Sequence, residues 1–137
     1  MGYNIVWTES CTSTDILRLS GPDELRAQDV NALFAREDID AIICVSGGYG
    51  SPRIVDHLDY PMIKLHPKPF VGFSDVTLLL NAITTRCKFP TYHGPMIVSD
   101  FANNRHTISI ESFFHLATDL KPYEIGTIIK RNNNKKI

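Results

Sequence analysis

The sequence predicts an α/β fold in which a parallel sheet is flanked by helices. Short apolar runs alternate along the chain with segments of helical spacing, and two of these runs are followed at once by glycine-containing turns. Strands that alternate with helices form parallel sheets, because each helix returns the chain to the start of the next strand. With 137 residues, the chain is long enough for one such domain with its own core.

The first part of the chain contains two predicted strands joined by a helix. Residues 3–8 are predicted to form a strand because β-branched and aromatic side chains predominate there. A helix is predicted over residues 20–38, where Ser20 stands three residues before Asp23 as in a capping box and apolar residues follow at helical spacing. The uninterrupted apolar run at 41–45 predicts a strand buried on both faces of a parallel sheet.

The remainder of the chain repeats this alternation. Its apolar runs are short, as strands are, and its helical segments carry apolar residues at helical spacings. The predicted elements are, in order, a helix at 53–58, a strand at 69–73, a helix at 76–83, a strand at 91–94 and a helix at 108–120. We therefore assign residues 1–120 to the folded domain, and we expect the polar, basic tail at 121–137 to be disordered.

Composition and charge exclude several classes of function. Fourteen basic and 15 acidic side chains give a formal net charge of -1, so the chain has no general electrostatic attraction to nucleic acid or to an anionic membrane. No apolar run approaches the ~20 residues of a membrane span. The three cysteines and five histidines lack metal-ligand spacing. We therefore expect no nucleic-acid or membrane partner, no metal, no cofactor, and a cytoplasmic location.

The first candidate site motif is Gly72-Phe73-Ser74-Asp75, which stands where a predicted buried strand ends and a helix begins. A serine in such a turn presents its hydroxyl at the carboxyl edge of the sheet, where ligands of open α/β sheets bind. The N–H of Asp75 can face an oxyanion from the start of the helix. The alternative interpretation is that Ser74 or Asp75 only caps the helix.

The second candidate motif is Gly47-Gly48-Tyr49-Gly50, which follows the other predicted buried strand. Glycines let the backbone approach a ligand closely and turn N–H groups toward an anion. The loop lacks the Lys-Ser/Thr of a P-loop, and the alternative is a tight turn that needs a positive φ. Together, the two motifs predict a hydroxyl and backbone donors at one edge of the sheet, which is half of an acyl-transfer site.

Seven segments of the sequence closely resemble the LD-carboxypeptidases, a family that includes murein tetrapeptide carboxypeptidases and microcin C resistance carboxypeptidases. They are SGPDELRAQDVNALF at 20–34, AIIC at 41–44, GGYGS at 47–51, LDY at 58–60, PKPF at 67–70, GFSD at 72–75 and HGPM at 93–96. The resemblance implies the flavodoxin-like N-terminal domain of such an enzyme, truncated at both ends, without its first βα unit and its C-terminal domain.

The resemblance also implies roles for individual residues. Ser74 is expected to be the nucleophile of a serine carboxypeptidase, and the N–H groups of Gly48 and Asp75 are expected to form its oxyanion hole. Other residues expected at the pocket are Gly47, Tyr49 and His93. A structurally satisfied histidine is the alternative for His93. The catalytic Glu and His of the family belong to its C-terminal domain, so we expect this chain alone to be inactive.

The sequence leaves the substrate and the exact role open. A murein tetrapeptide in cell-wall recycling is the expected peptide substrate, and a microcin-like peptide conjugate is the alternative, because Val45 and Ser46 stand where the murein branch commonly has an arginine. The intact protein is expected to form a homodimer. Arg53 could be an ion-pair partner, a pocket residue or part of a solvated helix face. An inactive remnant that serves as a binding or structural module, and a phosphate binder, are the alternative functions.

Overall fold

The computed structural model describes residues 4–17, 19–102, 110 and 112–115. Between residues 23 and 93, four α-helices and three strands follow one another. The helices are α1 (Asp23–Ala35), α2 (Ser51–Ile54), α3 (Tyr60–Leu65) and α4 (Thr77–Cys87), and the strands are β1 (Ile42–Ile43), β2 (Phe70–Gly72) and β3 (Tyr92–His93). Short 3-10 turns cover Glu9–Cys11, Val55–His57 and Ser74–Val76, and a π-helical turn covers Ile97–Phe101.

The three strands form one parallel sheet in the order β1-β2-β3. Ile42 is in register with Phe70, and Gly72 is in register with His93. Each pair of neighbouring strands is connected through helices, as parallel pairing requires. The predicted α/β architecture with a parallel sheet and flanking helices is therefore confirmed.

The core is built around the central strand β2, whose three residues are all buried. Helices α1, α3 and α4 each contribute one fully buried side chain to it. These side chains are Phe34, Ile63 and Ile83. The Phe34 ring lies 5.7 Å from the Phe70 ring, measured between centroids, so α1 packs directly on the sheet. This packing holds the carboxyl ends of β1 and β2 next to each other.

Two predictions for the first part of the chain are wrong. Residues 4–8 pair with no strand among the described residues, and Ile5 and Trp7 are largely exposed. A β-rich sequence forms a strand only where a neighbour accepts its backbone hydrogen bonds. The capping box at Ser20 is also absent, because Gly21 N–H donates to Leu19 at 2.8 Å and turns the chain before α1 begins.

The other elements agree with the predictions in kind but differ in their bounds. The predicted strand at 41–45 pairs over only two residues, and the predicted helix at 53–58 begins at Ser51 and continues as a 3-10 turn. Helix α3 was not predicted, although its start carries recognisable signals. Asp59 accepts a hydrogen bond from Met62 N–H at 3.0 Å, and Pro61 stands in the first turn.

The C-terminal predictions mostly lie outside the described residues. Residues 110 and 112–115 have helical geometry, in agreement with the predicted helix at 108–120. The remainder of that helix, the domain boundary at residue 120 and the tail at 121–137 are not described. In the described part of the chain, no helix combines the length and apolar character needed to cross a bilayer.

Candidate active site

Ser74 lies in a sharp turn between the central strand and the helix that follows it. β2 ends at Gly72, Phe73 remains extended, and Ser74 then adopts a φ of +59°, in the left-handed region. This conformation costs a non-glycine residue about 1 kcal/mol, and such strain is concentrated at functional sites. Ser74 is exposed, so its hydroxyl is accessible at the carboxyl edge of the sheet.

The glycine loop lies directly beside Ser74. A Cβ built on Gly47 would stand 3.3 Å from Ser74 Cβ and 3.4 Å from Ser74 Oγ, so any side chain at position 47 would crowd the serine. Gly48 is exposed and has a φ of +150°, which side-chain-bearing residues rarely adopt. A Cβ at Gly48 would meet nothing within 4 Å. The backbone of Gly48 therefore borders open space, where a ligand can approach it.

The side chain of Asp75 connects the two motifs. Its Oδ2 accepts a hydrogen bond of 2.8 Å from the backbone N–H of Ser51, the first residue after the glycine loop. Ser51 is buried, and Asp75 is partly buried. Asp75 therefore contributes a side-chain contact in addition to the backbone N–H that the sequence analysis singled out.

His93 and Tyr49 occupy different positions relative to the serine turn. His93 ends β3 in register with Gly72, and its ring lies 6.1 Å from the Phe73 ring, measured between centroids. Its side chain is exposed at the same edge of the sheet as Ser74. Tyr49 is 88% exposed, so its ring extends into solvent from the glycine loop. His93 thus flanks the turn, whereas Tyr49 stands at its outer rim.

Three residues near the site were not found from the sequence. Met96 is buried, and its Cε lies 3.7 Å from the Cβ position of Gly47, so it supports the glycine loop. Its signal is the HGPM segment that carries part of the family resemblance. Asp23 and Arg26 form an ion pair on α1 next to the loop. In the sequence, this ion pair is indicated by two opposite charges that stand three residues apart on one predicted helix.

Arg53 forms an ion pair with Asp23, which confirms one of its three predicted roles, and its side chain is also about half exposed on the helix face. Arg53 Nη2 lies 2.7 Å from Asp23 Oδ2, and Arg53 Nε donates to Asp23 Oδ1 at 2.9 Å. The hydrogen bond from Arg53 is the main cause that lowers the pKa of Asp23, desolvation opposes the shift, and Arg26 adds to the lowering. Asp23 therefore remains a carboxylate and can hold both arginines.

The cysteine nearest to the site has no nucleophilic character. Cys44 follows β1, and its backbone carbonyl accepts a hydrogen bond of 3.2 Å from Ile97 N–H. Burial raises the pKa of the Cys44 thiol to about 12, so the thiol stays protonated at neutral pH. Within the described ranges, no three side chains of His, Cys, Asp or Glu lie close enough together to hold a metal ion.

A family model described as the N-terminal domain of LD-carboxypeptidases matches residues 1–94. The chain is 35% identical over 99 residues to a probable murein peptide carboxypeptidase of Bacillus subtilis, covering 72% of this chain and 31% of that protein. It is 34% identical over 119 residues to the microcin self-immunity protein MccF of Escherichia coli, covering 85% of this chain and 34% of MccF. The chain thus spans about a third of the length of these curated relatives.

The fold is also similar to that of solved structures. An MccF structure without ligand superimposes with a TM-score of 0.79 at 32% identity, covering 84% of this chain and 35% of that chain. MccF has further been solved in complex with glutamyl sulfamoyl guanosine and with aspartyl sulfamoyl adenosine. The similarity therefore extends over most of the present chain and about a third of its structural relatives.

Proposed function

Since the chain belongs to the LD-carboxypeptidase family, we propose that it carries the nucleophile of a serine peptidase that removes a C-terminal D-residue from a peptide. One observation supports this proposal above all. Ser74 is exposed in a strained turn at the carboxyl edge of the sheet, so close to Gly47 of the glycine loop that a side chain at position 47 would crowd it. A strained turn between strand and helix that exposes a serine is typical of a nucleophile elbow.

The proposed reaction begins with attack of Ser74 Oγ on the carbonyl carbon of the L,D-peptide bond. The hydroxyl proton passes to a histidine base, which the family resemblance assigns to a domain outside the present residues. The carbonyl oxygen becomes an oxyanion, and the N–H groups of Gly48 and Asp75 donate hydrogen bonds to it. The histidine then protonates the departing D-amino acid, and water hydrolyses the acyl-enzyme to regenerate the serine.

The oxyanion role of the two backbone donors has a physical basis in the fold. Asp75 stands in the first turn after the strand, where N–H groups lack partners within the helix. Gly48 borders open space in the loop that lies beside Ser74, so a substrate oxygen can approach its backbone. Loss of one such donor costs about 100- to 1000-fold in rate. Each of the two donors is therefore expected to contribute strongly to the rate of the reaction.

The proposed substrate is a murein tetrapeptide whose last residue is D-alanine, handled in the cytoplasm. The name of the Bacillus subtilis relative supports this class, whereas the similarity to MccF favours a peptide conjugate as the second candidate. His93 flanks the serine turn and Tyr49 stands at its rim, so both are proposed to contact the peptide together with Gly47. A homodimer of the intact protein is part of the same proposal.

The test uses this chain joined to the remaining two thirds of the Bacillus subtilis relative and measures release of D-alanine from a murein tetrapeptide. We expect turnover by this extended protein and its loss in Ser74→Ala, because the alanine has no oxygen to form the acyl-enzyme. Ser46→Ala is the matched control, since Ser46 is another exposed serine next to the glycine loop. Unchanged turnover in Ser74→Ala would overturn the nucleophile assignment.

A binding module is the alternative outcome of the same assay. In the described part of the chain, no histidine or carboxylate accepts a hydrogen bond from the Ser74 hydroxyl. If the correctly folded extended protein binds the tetrapeptide without releasing D-alanine, and Ser74→Ala binds it equally well, the peptidase proposal is wrong. The chain would then be a peptide-binding module.

A further inference from the structure

A single peptide group, the one between Gly50 and Ser51, is held at both ends by charged side chains. Arg26 Nη1 donates a hydrogen bond of 3.1 Å to the carbonyl oxygen of Gly50. The N–H of Ser51 donates a hydrogen bond of 2.8 Å to Asp75 Oδ2. Hydrogen bonds with a charged partner are about twice as strong as neutral ones. The cation and the carboxylate also polarise the same amide in the same direction, so each bond strengthens the other.

The Arg26 guanidinium is itself fixed in place. Its Nε donates to the carbonyl oxygen of Gly21 at 3.3 Å, and its Nη2 donates to Asp23, which Arg53 binds from the other side. The Arg26 side chain is only 11% exposed, so water competes poorly for its donors. A guanidinium with three anchored nitrogens is a rigid contact.

Gly50 makes the close approach of Arg26 to the loop backbone feasible. A Cβ at this position would collide with Arg26 Nη1 and would lie 3.0 Å from Cζ. Any side chain at position 50 would therefore displace the guanidinium from the Gly50 carbonyl. Close packing against Arg26 therefore explains why position 50 is a glycine, and this explanation does not involve anion binding.

We propose that Asp75 and Arg26 are positioning residues that hold the glycine loop in its conformation, and with it the Gly48 N–H that is the proposed oxyanion donor. This inference rests on the proposed function, because it concerns the oxyanion hole of that reaction. Asp75 directly follows Ser74, the proposed nucleophile. The Gly50–Ser51 peptide, which Asp75 and Arg26 bind, stands at the end of the loop that carries Gly48, the proposed donor. The carboxylate of Asp75 therefore sets the distance between the two halves of the site.

The glycine loop needs such external support. Glycine loses more conformational freedom on ordering than any other residue, and the Cα of Gly48 has open space where a side chain would be. Among the loop residues, Gly47 leaves no room for a side chain between itself and Ser74, whereas Tyr49 is exposed. A donor misplaced by about 1 Å can cost on the order of 100-fold in rate. The hydrogen bonds of Arg26 and Asp75 to the Gly50–Ser51 peptide, here called the clamp, restrict the conformation of the loop.

The first test measures amide resonances of the ¹⁵N-labelled 137-residue chain by NMR. In Asp75→Ala we expect the Ser51 amide proton to move upfield and the Gly47 and Gly48 cross-peaks to shift or broaden. Asp75→Asn keeps an acceptor oxygen and is expected to give intermediate shifts. Arg26→Lys acts from the opposite end of the same peptide and is expected to move the Gly48 cross-peak as well.

The matched control is Asp59→Ala. Asp59 also accepts a hydrogen bond from a backbone N–H at a helix start, that of Met62 at 3.0 Å. We expect this variant to move the Met62 cross-peak and to leave Gly47 and Gly48 unchanged. If Asp75→Ala and Asp59→Ala shift the Gly47 and Gly48 cross-peaks equally, the loop responds only to the overall stability of the protein, and the proposal is wrong.

The second test measures kcat and KM of the extended protein used for the proposed function. We expect Asp75→Ala to lower kcat by about 100-fold with little change in KM, and Asp75→Asn to recover part of the loss. If Gly47 and Gly48 keep their wild-type resonances in both Asp75→Ala and Arg26→Lys, the clamp proposal is wrong even if the enzyme is active. If the extended wild-type protein is inactive, the proposed function fails while the NMR result still decides the clamp.

Discussion

Ser74 is held in its left-handed conformation by the residues on either side of it. Phe73 packs its ring near His93, and Val76 is 6% exposed and belongs to the core. Both neighbours are therefore fixed by contacts that the strained residue itself does not make. Strain of about 1 kcal/mol at one residue persists only where the surrounding packing determines the backbone in this way. The exposed hydroxyl is a consequence of that packing.

The three thiols are predicted to differ sharply in reactivity. Cys11 is exposed, Cys44 has a pKa raised to about 12 by burial, and burial also raises the pKa of the buried Cys87. The thiolate is the reactive form, so a raised pKa leaves less of it at any given pH. With iodoacetamide at pH 8 we expect one fast alkylation, at Cys11, and two slow ones, measured by mass spectrometry of the peptides.

The control for this prediction is Cys11→Ser, which should remove the fast phase and leave the two slow ones. Unfolding in urea should make all three thiols react at similar rates, because the desolvation that raises the pKa values of Cys44 and Cys87 disappears. Rapid alkylation of Cys44 in the folded protein would contradict the burial that the structure assigns to this residue.

Among the elements, helix α4 links the site to the core. It begins three residues after Ser74, and its side chains Leu79, Leu80 and Ile83 are buried. Ile83 is fully buried, whereas Leu78 in the first turn is 40% exposed. One face of α4 therefore secures the turn that carries the serine, while its first turn remains accessible next to the site.

Truncation of Ile83 is predicted to destabilise the protein far more than truncation of Leu78. We expect Ile83→Ala to lower the free energy of unfolding by about 2 to 5 kcal/mol, because it leaves a cavity in a close-packed core. Leu78→Ala is the matched control and should cost less than about 1 kcal/mol, since much of its side chain already contacts water. Urea denaturation followed by circular dichroism measures both values, and equal losses would contradict the assigned packing.

Taken together, the described residues contain the proposed nucleophile and the proposed backbone donors at one edge of the sheet. The chain covers about a third of the length of its curated relatives. Large apolar side chains near this edge, Leu78 and Ile97, are at least 38% exposed. The proposed reaction also needs a base, and among the described residues none is hydrogen-bonded to the Ser74 hydroxyl.

The 137-residue chain alone is therefore predicted not to release D-alanine from a murein tetrapeptide. A serine without a positioned base remains a neutral alcohol, which is a poor nucleophile. In the serine protease subtilisin, loss of the base costs roughly a millionfold in rate. A fluorophosphonate probe should label Ser74 slowly in this chain and rapidly in the extended protein, measured by intact mass. Turnover by the short chain would show that it contains a base and would overturn this assignment.

Local sequence patterns are sufficient to predict the alternation of strands and helices and the two motifs at the strand ends. Apolar runs, helical spacing and glycine-rich turns are local patterns, and each expresses a preference of the chain over a few residues. This is why the turn at Ser74 and the loop at Gly47 were predicted in their observed places. The resemblance then added roles for these residues that no local pattern contains.

Which of these local preferences are realised, and which groups come together, depends on contacts between distant parts of the folded chain. Residues 4–8 have strand-like composition but pair with no described strand, because pairing depends on a partner elsewhere in the chain. Arg26 and Asp75 reach the Gly50–Ser51 peptide across 24 residues of sequence each. Contacts over such separations arise from the packing of α1 and β2 around a common core. Their positions are therefore a property of the folded molecule and are absent from any short segment of its sequence.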